Sequence, residues 1–177
     1  MKNIKIFLVP SSDAVECDMT GVRDFFRQLN EMYFDSGINF SILNANEMTE
    51  NELKEHVADS DLSFFLFFED VSDYMRSCFD IFFESFKKTD KPKIVTYFKY
   101  TESPNDMTEA VREFSQMLGN ELRHYYNNYN SIDTLKLGIL MQIKVMRLDA
   151  SQITISDDGM ICLNGQPVAD TSKIPMF

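Results

Sequence analysis

The sequence has too few basic residues to bind nucleic acid through the phosphate backbone. Seventeen lysines and arginines stand against 28 aspartates and glutamates, which gives a net charge of −11 at pH 7. A protein that binds the phosphate backbone needs a basic face that displaces counterions. The excess of acid selects no partner by itself and mainly keeps the chain soluble. We therefore expect no nucleic-acid ligand.

Long apolar runs are also missing. No stretch approaches the roughly 20 apolar residues that are needed to span a bilayer. The apolar run at residues 4–9 is too short for the core of a signal peptide, and no small-residue cleavage site follows it. We expect a cytoplasmic protein that does not associate with membranes.

Cysteine and histidine are scarce. Cys17, Cys78 and Cys162 are odd in number and widely spaced, so a disulfide framework is not expected. His56 and His124 share no ligand spacing with any cysteine, which argues against a zinc site. We expect these histidines to have packing or surface roles, and we predict no metal centre.

The common signatures of phosphate loops and serine hydrolases are absent. The six glycines are scattered, and none belongs to a Rossmann or Walker pattern. No serine-centred nucleophile elbow is present either. A functional site must therefore be sought from the topology of the chain.

Strand-like and helix-like hydrophobic periods alternate along most of the chain. The 177 residues, 44% apolar and 25% charged, suit an ordinary globular domain that needs no disulfide or metal to hold its core. The alternation predicts a three-layer α/β sandwich with right-handed crossovers. Its central strand is the nearly uninterrupted apolar run at 62–68, which suits a parallel strand covered on both faces. The other strands are predicted at 4–9, 38–43, 93–98 and 124–129, and the helices at 13–37, 49–57, 74–88, 107–122 and 132–148.

The pattern changes after residue 148. Residues 153–168 read as short strands joined by tight turns at Asp157-Asp158-Gly159 and Asn164-Gly165. A lone hairpin is marginal in water, so we expect it to pack on the domain or on a partner, with Met176 and Phe177 buried. We divide the chain into an α/β domain at 1–148 and a β-hairpin tail at 149–177. The tail either docks on the domain or links it to further domains of a longer protein.

Two loops are predicted to converge where a ligand would bind. In an open parallel sheet, ligands lie outside the carboxyl ends of the strands at the point where strand order reverses. If the first and third strands flank that point, the loops 10–13 and 69–72 meet there. Ser11, Ser12 and Asp13 could then offer hydroxyls and helix N-terminal amides to a polar ligand. The alternative is that Ser12 or Asp13 simply caps the first helix.

The sequence resembles a bacterial branch of the Toll/interleukin-1 receptor (TIR) superfamily. The resemblance covers residues 5 to about 148, and its most specific stretch is Phe86 to Lys99, around Thr89-Asp90-Lys91-Pro92. The other stretches that carry it are 5–26, 58–61 and 125–136. A weaker likeness extends over the tail.

The resemblance implies a flavodoxin-like fold with a mostly parallel five-stranded sheet in the order 2-1-3-4-5. In active relatives, a glutamate on the third helix contacts the ribose of NAD and supports cleavage of the bond to nicotinamide, as a carboxylate does in glycoside hydrolysis. The matching position here is Cys78, and Phe82 stands where those relatives have a small residue. An acid-plus-arginine pair on the first helix is replaced by Asp18-Met19.

Neighbouring acids are candidate substitutes for the missing glutamate. The helical period places Asp80 and Glu84 on the face opposite the buried stripe, where charge pairing is their expected role. Glu69 and Asp70 directly follow the central strand and are better placed for catalysis, with a capping or solvated role as the alternative. Cys78 itself is expected to pack rather than to act as a nucleophile, because no histidine is placed to activate it.

The leading hypothesis is a TIR-like domain without catalytic activity that serves protein association or nucleotide sensing in a bacterial signalling or anti-phage defence protein. It binds a protein partner or a second copy, and NAD is a substrate or ligand rather than a resident cofactor. The alternative is an active NAD glycohydrolase, or a related nucleoside-processing enzyme, that uses Glu69 or Asp70. A third interpretation is a structural module that docks a partner through a surface rich in phenylalanine and methionine.

Overall fold

The computed structural model describes residues 1–11, 16–103, 105–146 and 152–174. Eight strands and five helices lie in these ranges. The strands are β1 (Lys2–Pro10), β2 (Ile38–Asn44), β3 (Leu62–Phe67), β4 (Lys93–Lys99), β5 (Tyr126–Tyr129), β6 (Ile153–Ile155), β7 (Met160–Leu163) and β8 (Gln166–Asp170). The helices are α1 (Glu16–Tyr33), α2 (Glu50–Val57), α3 (Asp73–Thr89), α4 (Glu109–Asn120) and α5 (Ile132–Val145).

The main sheet has five parallel strands in the order β2-β1-β3-β4-β5, which confirms the predicted fold and strand order. The order reverses between β1 and β3, so the switch point lies between these two strands. All six residues of β3 are buried, as expected for a central strand with helices on both faces.

Helices cover the sheet on both sides and enclose two hydrophobic clusters. One cluster lies under α1 and α5, and the other lies under α2, α3 and α4. The second is rich in phenylalanine, with Phe7, Phe65 and Phe82 meeting edge to face at centroid distances of 5.0 and 5.2 Å. Most described phenylalanines are buried, and Phe34 is the exposed exception among them. The abundance of phenylalanine is therefore explained by the core rather than by a docking surface.

Side-chain caps set the starts of the helices. A capping box begins α2, because the Thr49 N–H donates to Glu52 Oε2 over 2.8 Å and Thr49 Oγ1 accepts from the Glu52 N–H. Hydroxyls of Ser72, Thr108 and Ser131 cap α3, α4 and α5 in the same way.

The tail forms a small antiparallel sheet in the order β6-β7-β8, which confirms the short strands and tight turns predicted over 153–168. Asn164 and Gly165 make the tight turn between β7 and β8, both with positive φ. The sheet packs on α5: the Asp170 N–H donates to Asp133 Oδ1 (3.0 Å), and Ser131 Oγ donates to the Lys173 carbonyl (2.7 Å). Apolar residues of β7 and β8 share the cluster under α1 and α5. The predicted burial of Met176 and Phe177 lies outside the described residues.

Across the described ranges, no helix is both long enough and apolar enough to cross a membrane.

Gly138 is required by close packing between α5 and β4. A β-carbon at this position would overlap the Tyr97 hydroxyl and lie 2.8 Å from its Cζ. Burial of Tyr97 raises the pKa of its hydroxyl to about 12, so the group stays neutral there. We predict that Gly138→Ala lowers the free energy of unfolding by about 1–3 kcal/mol, although alanine favours helix over glycine.

Urea denaturation measures this effect, and Gly119→Ala is the matched control. Gly119 also lies in a helix, but its β-carbon would meet nothing within 4 Å, so we expect a gain of up to about 1 kcal/mol. Adding Tyr97→Phe should recover part of the loss at Gly138. An equal change in the free energy of unfolding for Gly138→Ala and Gly119→Ala would contradict the packing argument.

Candidate functional site at the carboxyl edge of the sheet

Ser11 joins the carboxyl ends of β1 and β3. Its N–H donates to the Leu66 carbonyl over 2.9 Å. Its hydroxyl accepts from the Phe68 N–H over 3.0 Å and donates to the Phe68 carbonyl over 3.3 Å. The structure thus places Ser11 at the end of β3, directly before the loop 69–72 that the sequence predicts it to meet. The Ser11 hydroxyl is engaged by main chain, and Ser12 and Asp13 lie outside the described residues, so a ligand-binding role for these three stays a prediction.

Glu69 and Asp70 lie in the loop after β3, with both side chains exposed. Glu69 has a φ of 61°, which is uncommon for a residue with a side chain, and its carbonyl accepts from Thr108 Oγ1 over 2.8 Å. Asp70 Oδ1 accepts from the Val71 N–H over 2.7 Å, so this carboxylate serves its own loop. The Glu69 carboxylate forms no hydrogen bond or ion pair with the rest of the described chain.

Cys78 lies inside the phenylalanine-rich cluster and is only 1% exposed. It shares this cluster with Val9, near the end of β1, and with Phe82, one turn further along α3. Burial raises the pKa of the Cys78 thiol, and the neighbouring Tyr74 hydroxyl opposes the rise in part. That hydroxyl donates to the Ala45 carbonyl over 2.8 Å. A neutral thiol packed among apolar side chains has no means to stabilise a developing positive charge.

The two acids further along α3 face solvent, as predicted. Asp80 and Glu84 are exposed, and Glu84 pairs with Lys87. That hydrogen bond lowers the pKa of the Glu84 carboxyl. On the same helix, the Arg76 guanidinium lies over the Phe114 ring, 5.2 Å from its centre.

An ion pair that the sequence analysis did not predict lies at the same edge of the sheet. Lys99 Nζ, at the end of β4, is 2.8 Å from Asp18 Oδ2 on α1, and both side chains are mostly buried. The Tyr129 hydroxyl, at the end of β5, donates to the same carboxylate oxygen over 3.0 Å. Burial, and then the charge of Asp18, raise the pKa of Tyr129 well above its usual value. Lys99 also lies 5.4 Å from the Phe68 ring centre.

These contacts define what the edge can do chemically. Asp18 and Lys99 neutralise each other, so neither is an uncommitted charge for a ligand. Among the described residues, clefts of about 450–520 Å³ lie elsewhere, between α2 and α3, between α1 and α5, and between α4 and β5. Within the described ranges, no group of three or more acidic, cysteine or histidine side chains is arranged to hold a metal ion.

Sequence reasoning missed Lys99 and Tyr129, and it noted Asp18 only as a family position. The one available signal was topological, since Lys99 and Tyr129 end neighbouring parallel strands and such ends meet at one edge. Nothing local in the sequence indicates that both side chains reach the same carboxylate on α1.

The chain matches no family model and no curated protein. Among solved structures, the flavodiiron protein from Giardia intestinalis is similar over 78% of this chain, with 12% sequence identity and a TM-score of 0.44. The match covers 33% of that protein, so the present chain spans about a third of its length. At this identity and TM-score, the likeness carries no information about function.

Asp18 holds two partners that are otherwise unsatisfied, so its removal should be costly. We predict that Asp18→Ala lowers the free energy of unfolding by about 1–3 kcal/mol, because it leaves a mostly buried ammonium and a buried hydroxyl without an acceptor. Asp24→Ala on the same helix is the control, since Asp24 pairs with Arg27 in solvent and should change stability by under about 0.5 kcal/mol. Similar losses in the two variants, measured by urea denaturation, would contradict the assigned role of Asp18.

The three cysteines should differ sharply in reactivity. Cys17 is exposed, whereas Cys78 and Cys162 are buried. We expect one thiol to react quickly with Ellman's reagent in the native protein, and all three to react after unfolding in guanidinium, because a buried neutral thiol is a poor nucleophile. Cys17→Ser should abolish the fast phase. A fast phase that survives this substitution would show that Cys78 or Cys162 is accessible.

Proposed function

We propose that this chain is a TIR-like domain that does not cleave NAD and acts instead through protein association or nucleotide sensing in a bacterial signalling or anti-phage defence protein. The observation that carries the proposal is the burial of Cys78 among apolar side chains. The residue that resembles the catalytic glutamate position is a thiol in a closed apolar cluster, 1% exposed.

The surroundings of Cys78 support the same conclusion. Phe82 is fully buried and packs edge to face against Phe7 and Phe65. It therefore fills the space that a small residue leaves in active relatives. The first-helix acid, Asp18, is engaged by Lys99 and Tyr129. Each of the family's functional positions that the resemblance identifies thus has a structural role.

A second candidate function, NAD glycohydrolase activity, is favoured by one observation. Glu69 combines a left-handed backbone with an exposed carboxylate that has no partner among the described residues. Backbone strain of this kind is often kept at functional sites. If the chain is an NAD nucleosidase, Glu69 is its best-placed acid, because the carboxylate of Asp70 already accepts from the Val71 N–H.

Nicotinamide release from NAD separates the two functions. We expect the unmutated protein to release no nicotinamide above the buffer background, since no carboxylate occupies the Cys78 position. Release that is abolished by Glu69→Ala, but kept in Glu84→Ala, would show that the enzyme uses a relocated acid. Glu84 is the matched control because it is a solvent-facing glutamate.

Cys78→Glu tests the same conclusion from the other direction. Since Cys78 is enclosed by apolar side chains, a glutamate there should lower the melting temperature and still release no nicotinamide. Cys78→Ala controls for the loss of the thiol alone. A folded Cys78→Glu variant that releases nicotinamide would show that this position opens to the ligand.

A further inference from the structure

A polar cleft lies between helix α4 and the edge strand β5. Its volume is about 450 Å³, within the range of small-molecule sites. Arg112, Ser115 and Gln116 line it from α4, where three- and four-residue spacing puts them on one face. Tyr126 and Asn128 line it from β5, two residues apart and therefore on the same face of the strand. We call this the α4–β5 cleft.

The charge of the α4–β5 cleft is opposite to that of the chain. Arg112 is the one charged side chain among the described residues that line it. The other lining residues are neutral, and they include Asn105 and Met107 from the loop before α4. The protein as a whole carries −11. Arg112 Nη2 donates to the Met107 carbonyl over 3.1 Å, and its guanidinium makes no ion pair with any described residue. Other N–H donors of this group therefore remain available to an anion.

Asn128 lowers the stability of the fold, and packing does not explain why an asparagine stands there. Its Oδ1 is buried and has no hydrogen-bond partner among the described residues, while the side chain lines the cleft. An unpaired buried carbonyl is destabilising, and asparagine is also disfavoured in strands. A residue that costs stability and faces a cleft is typical of a ligand site, where local structure rules are broken for function.

Tyr126 provides an ordered aromatic wall beside Asn128. Its ring packs edge to face on Phe98, with centroids 5.0 Å apart and planes at 89°. The ring is still 37% exposed. The cleft therefore combines a guanidinium, side-chain amides and an aromatic ring, without a carboxylate.

We propose that the α4–β5 cleft binds a nucleoside monophosphate. Arg112 pairs with the phosphate, and the amides of Asn128 and Gln116 hydrogen-bond to the base, since side-chain amides match the donor and acceptor pattern of a base edge. The absence of a carboxylate from the lining disfavours a cation. The proposal rests on the sensing part of the proposed function and is independent of whether NAD is cleaved.

Two-dimensional NMR of the ¹⁵N-labelled chain tests the site. The four nucleoside 5′-monophosphates are titrated to 10 mM, with inorganic phosphate and the unphosphorylated nucleosides as comparison probes. We expect saturable shifts for at least one nucleotide, confined to amides near residues 105–116 and 126–128. Binding of phosphate alone with equal affinity, shifts centred on Ser11 and Lys99, or no saturable shift would each overturn the proposal.

Matched variants test the phosphate contact of Arg112 and the base contact of Asn128 separately. Arg112→Gln should raise the Kd at least tenfold, whereas Arg123→Gln, outside the cleft, should leave it unchanged. Asn128→Val should raise the Kd at least tenfold and also raise the melting temperature, because it removes the unpaired carbonyl. Asn127→Val, on the opposite face of β5, should leave the Kd unchanged.

If Asn128→Val does not fold, Gln116→Ala, on the exposed surface of α4, is measured instead. It should also raise the Kd at least tenfold. An unchanged Kd in Arg112→Gln would overturn the assignment. An unchanged Kd in Asn128→Val, or in Gln116→Ala if Asn128→Val does not fold, would overturn it as well. Nicotinamide release is measured on the same samples, so a failure of this site is distinguishable from a failure of the proposed function.

Discussion

The complete burial of β3 is the constraint on which the rest of the structure depends. A six-residue strand with no exposed side chain has to be covered on both faces, and this requires helices on each side and parallel neighbours joined by crossovers. Phe65 and Phe67 then face the cluster under α2, α3 and α4, while Phe64 and Leu66 face the one under α1 and α5. The strand therefore determines where α3 lies and, through it, why Cys78 is enclosed.

Much of this architecture could be predicted because it depends on local periodicity. The run of apolar residues at 62–68, the capping box at Thr49 and the turn at Asn164-Gly165 each specify an element within a few residues. The third strand of the tail is predicted at 166–168 and extends to Asp170 in the structure; its proline is tolerated because the strand lies at an edge of its sheet.

The edge of the main sheet was much less predictable. Asp18 is 81 residues from Lys99 and 111 from Tyr129, so their meeting depends on strand order and register together. Sequence patterns give the strand ends, and hence the loops that meet at Ser11 and Phe68, but not which side chain reaches across. The same limit applies to Asn128, because the lack of a partner for its side-chain carbonyl among the described residues depends on where the neighbouring strands and helices place their donors.

Helix α5 packs against both the main sheet and the small β6–β7–β8 sheet. Its apolar residues occupy more than one stripe, with Leu135, Ile139, Leu140 and Ile143 buried and Leu137 partly covered. A helix with this pattern is not stable at a water-facing surface. The small sheet and the larger one therefore share one helix, so opening either of them would expose apolar side chains of α5 to water.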